Sequence, residues 1–174
     1  MVERQARRRL VRRARKLARQ AFGYELDTPG VCLPLAWATC EIGRRMGLQL
    51  RMYAGSCFWQ RSASGRIFGY EWEGLTAENQ ARLARGVLPE LHVWAGCPET
   101  TEWIDLSTPL WPAQCRALIG ESWSTPMPDY LWSRVDQLPQ GAVYEPSAEA
   151  GRIMVAYLTR RSEEQARNLQ GNMT

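Results

Sequence analysis

Three residues of this chain have the side-chain types of a thiol nucleophile with its base: Cys32, His92 and Asp105. A thiolate attacks an acyl carbon, an imidazole moves the proton, and a carboxylate fixes the imidazole tautomer and stabilises its cation. His92 is the sole histidine among 174 residues, so a thiol enzyme built on this chain has no other imidazole base. Taken singly, a cysteine in apolar surroundings is more often core, and a lone histidine more often structural. The positions of the three argue for the joint reading.

Cys32 opens a helical pattern that runs to about Met46. Pro34 is tolerated only in a first turn, which puts the helix start close to Cys32. Unpaired N–H groups and the helix dipole at such a start favour a thiolate, and the Cys32 backbone N–H there can receive a developing oxyanion. His92 falls in a predicted strand over 90–95 and Asp105 in another over 102–106, joined by the turn-like Gly96-Cys97-Pro98-Glu99. Neighbouring antiparallel strands bring two such side chains together on one face.

The remaining elements must hold that arrangement. Residues 3–22 lack Gly and Pro and carry a stripe of Leu10, Ala14, Leu17 and Ala21, which reads as a helix stopped by Gly23. A turn is expected over 27–30. Alternation over 48–59 predicts a strand, Ser62 to Gly65 a turn, and 67–72 the returning strand of a hairpin. Residues 77–87 read as a short polar helix or covering loop. The Pro- and Trp-rich stretch 107–140 reads as loop with short helical turns. A strand is expected at 142–145; 152–158 reads either as a strand or as part of one helix over 147–170 broken near Gly151.

Composition fits one globular domain over 1–174, with 45% hydrophobic and 23% charged residues. Nine of the 22 basic residues but one of the 18 acidic ones fall in 1–22, giving a basic helix of net +8 on a body of net −4. Such a helix suits an acidic partner: nucleic acid, a membrane surface or a protein. The bland reading is a solvated helix packed by its apolar stripe. Five cysteines (Cys32, Cys40, Cys57, Cys97, Cys115) show no paired spacing, and no apolar run reaches membrane-spanning length. Free thiols and a cytoplasmic location are expected. Metal binding is disfavoured, with one imidazole and no CxxC pair. Among eight Trp residues, Trp94 beside His92, together with Trp59 and Phe58, are the candidate walls of a substrate site.

Gly30-Val31-Cys32, Arg44-Arg45-Met46-Gly47-Leu48 with its following strand, His92-Val93-Trp94, and Glu102-Trp103-Ile104-Asp105-Leu106-Ser107 together resemble the transglutaminase-like core, a branch of the papain-like cysteine fold. The likeness covers roughly residues 28–110. It implies an α+β fold with a Cys-bearing helix packed on an antiparallel sheet, and a triad of Cys32, His92 and Asp105 needing no cofactor. It further implies thiolate acyl transfer on an amide of a peptide or protein: proteolysis, deamidation or transamidation. Three features depart from the pattern. Pro29-Gly30 precedes Cys32; the segment before the His strand is longer than in a minimal core; and no glutamine stands just upstream of Cys32, where Thr28 lies, leaving Gln20 as the oxyanion candidate. Two other readings compete. One is a catalytically silent binding domain whose basic helix meets an acidic partner; the other is arylamine acyl transfer from coenzyme A, for which no nucleotide site is visible.

Overall fold

In the computed structural model, which describes residues 4–23 and 30–171 (side chains of 164–166 and 168–171 excepted), the strand patterns become an antiparallel sheet of mixed α and β composition. The turn expected over 27–30 lies, Gly30 aside, outside the described residues, as do Thr28 and Pro29. The central strand is β1 (Arg51–Gln60). The hairpin strand β2 (Ile67–Tyr70) pairs with its second half. β3 (His92–Cys97) pairs with residues 51–55, and β6 (Ala142–Pro146) with residues 55–59, so the partner of β1 changes at Gly55. A Cβ on Gly55 would lie 2.1 Å from the Glu145 carbonyl oxygen, and only glycine permits this handover. The sheet continues through β4 (Glu102–Asp105) to β5 (Leu131–Arg134).

Period-two alternation divides the side chains between two faces. Helices α1 (Arg4–Phe22) and α2 (Cys32–Arg45) cover one of them, burying Leu10, Ala14, Leu35 and Ile42 against Ala95 and Ile104. The α1 stripe is rotated slightly from expectation: Val11 and Ala18 are buried, Leu17 is half-buried and Ala21 is exposed. Arg7 adds an ion pair to the buried Glu102 at 2.9 Å, with its guanidinium 4.8 Å above the Trp132 ring. Helix α5 (Ala148–Gly171) packs Ala150 and Met154 near Ala54 and Val93. It runs through Gly151, which decides between the two readings of 147–170. The opposite face carries Cys57, Trp59, Trp94, Trp103 and Tyr144 and is closed by Trp111 and Cys115 of α4 (Trp111–Ile119).

The stretch 107–140 is more ordered than its composition suggests, since it contains both α4 and β5. Pro112 sits in the first turn of α4, and Gly120 caps its end at φ 70, donating to the Arg116 carbonyl. Trp111, Gln114 and Cys115 share its buried stripe. Helix α3 (Ala77–Ala84) is capped by Thr76, whose hydroxyl accepts from Asn79 N–H at 3.2 Å. Among the described residues, no helix is long and apolar enough to cross a membrane.

Candidate active site

His92 is the first residue of β3, paired opposite Gly55, and Asp105 is the last of β4. Both are almost wholly buried. Their side chains meet diagonally on one sheet face, with His92 Nε2 2.8 Å from Asp105 Oδ2. That is the juxtaposition expected of two neighbouring antiparallel strands.

The carboxylate is satisfied from several sides. Its Oδ1 accepts the Ser107 N–H at 2.8 Å and the Ser107 hydroxyl at 2.6 Å. Oδ2 accepts the Tyr144 hydroxyl at 2.8 Å, and Tyr144 in turn accepts the Trp59 indole N–H at 3.2 Å. A buried carboxylate with this many donors stays ionised. Burial alone would raise the Asp105 pKa, but the charge and hydrogen bond of His92, helped by Ser107, hold it below its usual value. Tyr144 moves the other way: burial and the Asp105 charge push its pKa well up, so it remains a neutral donor.

Burial would lower the His92 pKa, but the Asp105 charge and hydrogen bond, with a contribution from Cys32, outweigh it and raise the value to about 10. The imidazole lies parallel between Tyr70 and Trp94, each with ring centroids 6.0 Å away, and Trp111 meets it edge-on at 5.1 Å. These rings fix its plane. With Nε2 held by Asp105, the other nitrogen, Nδ1, is buried without a hydrogen-bond partner. The Cys32 thiol adds a smaller electrostatic contribution of the same sign, favouring the charged ring.

Cys32 is the first residue of α2, which starts without a side-chain cap because Val31 has no oxygen to offer. Cys32 thus stands in the first turn of α2, where backbone N–H groups lack intrahelical acceptors and can serve an oxyanion. The thiol is half-buried and opens on a cleft of about 410 Å³ lined by Leu33, Tyr70, Leu88, Leu91 and Tyr157, with Arg82, Glu90 and Arg161 beside them. The other cysteines are placed differently. Cys57 lies inside β1 and is buried, as are Cys97 and Cys115. Burial raises the Cys57 thiol far above its usual pKa, and the Cys40 thiol to about 12.

The expected cleft walls occupy other positions. Trp94 and Trp59 are buried, and neither they nor the half-buried Phe58 line the cleft at Cys32. Trp94 stacks on His92, and Trp59 orients Tyr144. Gln20 is exposed on α1 and does not line that cleft. Tyr144 and Ser107 were not singled out from the sequence. Ser107 follows Asp105 by two residues, the spacing at which a carboxylate accepts from the backbone beyond it. Tyr144 is the inward residue of an alternating strand, but its partner lies 39 residues away in sequence. Among the described residues, no group of three or more His, Cys, Asp or Glu side chains is placed to hold a metal ion. Comparisons with protein-family models, with curated proteins and with solved structures returned no match for this chain.

Proposed function

We propose that this protein is a cysteine-nucleophile hydrolase or acyltransferase with a transglutaminase-like core, acting on an amide of a peptide or protein. The observation that carries the reading is the buried His92–Asp105 pair, with Cys32 placed as the first residue of α2 on an open cleft and adding to the charge stabilisation of the imidazole. Cys32 thiolate attacks the amide carbon, forming a C–S bond, while the Cys32 N–H holds the oxyanion. His92 then gives its proton to the departing nitrogen as the C–N bond breaks. Water attacks the resulting thioester with His92 taking its proton, and the C–S bond breaks to release the acid and restore the Cys32 thiolate beside the protonated imidazole. Asp105 keeps the imidazole oriented and charged, and Tyr144, Ser107 and Trp59 position Asp105. Hydrolysis suits the site better than cross-linking, since so small a domain has little surface for a second, amine-bearing substrate. A reducing, cytoplasmic setting belongs to the same reading, with five free cysteines supporting it.

Iodoacetamide labelling resolved by peptide mass tests the reading. Near neutral pH, Cys32 is expected to react much faster than the other four thiols, and His92→Ala to remove the preference, by a factor of about 10²–10⁴. Equal labelling of all five would leave a binding domain and no thiol enzyme. Intact masses of candidate substrate proteins then separate deamidation, a gain of about one dalton by the chemistry of amide hydrolysis, from cleavage or adduct formation.

A further inference from the structure

Helix α1 does two things at once. Its apolar stripe is consumed by the core, and Arg15 docks it by donating to the carbonyls of Leu106 and Asp129. Yet Arg8, Arg12, Lys16 and Arg19 remain exposed, along a groove of about 730 Å³ whose other wall holds Asp129 and Tyr130. The Asp129 charge is partly offset by the nearby Arg15, whose cationic form it favours. The four cations follow each other at intervals of four, four and three residues, one helical turn apart. Together they span about 16 Å, the length of about five residues of extended polypeptide. One turn further on, Phe22 of the same helix lines the cleft at Cys32.

We propose that this groove binds an acidic stretch of the protein substrate and leads the flanking amide to Cys32. The substrate part of this inference rests on the thiol reading of Cys32; the binding part does not. Charge complementarity supplies the attraction, and guanidinium groups suit carboxylates because they bind them in bidentate fashion. A membrane fits less well, because the apolar face of α1 is already buried and cannot enter lipid. Single-stranded nucleic acid fits less well too. Its binding grooves interleave cations with stacking aromatics, and among the described residues lining this groove the one aromatic is the half-buried Tyr130 beside a carboxylate.

Two measurements on the full chain test the proposal. In the first, fluorescein-labelled octaglutamate is titrated into Cys32→Ala protein by anisotropy. Binding should weaken steeply with added salt, and fall about tenfold or more in an Arg8→Glu, Arg12→Glu, Lys16→Glu variant. Should that variant lose its circular dichroism, Arg12→Gln with Lys16→Gln replaces it, with a smaller loss expected. No binding, binding indifferent to these changes, or tighter binding of an oligothymidine would each overturn the groove. In the second, octaglutamate and octaserine carrying an N-terminal chloroacetamide are compared as alkylators of Cys32 in the otherwise unaltered protein. The acidic probe should react about tenfold faster or more, and charge reversal should erase that advantage while leaving the iodoacetamide rate unchanged. Binding without that advantage would overturn the substrate role. Failure of iodoacetamide to prefer Cys32 would remove the thiol reading instead, with anisotropy still deciding the groove.

Discussion

The two faces of the sheet are built from alternate residues of the same strands and have little else in common. Val93, Ala95 and Ile104 turn toward the helices and meet aliphatic side chains. Their neighbours His92, Trp94 and Asp105 turn the other way, into aromatic rings and a hydrogen-bonded carboxylate. The helix-facing side holds one buried charge, Glu102, and Arg7 answers it near the sheet margin. The opposite side holds its charges at the centre, where water is excluded. The contrast separates two jobs. Aliphatic burial stabilises the fold without regard to direction, whereas the aromatic face gives up some of that simplicity to hold an ion pair in one orientation.

The sharpest way to break the contrast is to damage each face in turn. Asp105→Ala leaves the His92 charge buried without its partner, and the expected cost is roughly 3–5 kcal/mol by urea unfolding, with loss of the Cys32 alkylation preference. Leu10→Ala should cost roughly 2–4 kcal/mol through the cavity it leaves, yet spare the alkylation rate of the folded protein. If both variants lost the preference equally, the division of labour would fail.

A second comparison uses pH. The His92 pKa rises from 6.5 to about 10 on folding, so its stabilising contribution is complete below about pH 6.5 and is lost as the pH climbs toward 10. Asp105 has a lowered pKa, and its contribution is present above 3.8 and lost as the pH falls below that value. Cys40 and Cys57, raised by burial, also weaken the fold at alkaline pH. The informative quantity is therefore the difference between the unaltered protein and His92→Gln. Its slope should be negative between about pH 6.5 and 10 and reach at most about 1.4 kcal/mol per pH unit; a flat difference would contradict the ion pair. Tyr144→Phe should give the smallest effect. Losing one donor to Asp105 costs about 1–3 kcal/mol, with a modest fall in the Cys32 alkylation rate and no change in the helix-facing core.

Legibility in the sequence followed the range of the contacts. Pro34 two residues after Cys32 located a helix start, and a short turn between two apolar runs placed His92 beside Asp105, because both signals are local. The aromatic residues were harder. Trp94 next to His92 promised a cleft wall, but alternation turned it inward along the same face as the imidazole, where it stacks. Helix α4 carried legible marks, Pro112 and Gly120, obscured by the surrounding Pro and Trp residues. Tyr144 had no local mark, since its role depends on which strand takes up the second half of β1.

The exchange of partners at Gly55 also sets an order of events. β3 and β4 can pair soon after each other, being close in sequence, and they bring His92 to Asp105. Tyr144 reaches that carboxylate only when β6 has closed on β1, a pairing between residues 55–59 and 142–146. Long loops close late in folding. The buried His92–Asp105 pair therefore acquires its full set of braces among the last contacts to form, after the longest pairing of the sheet has closed.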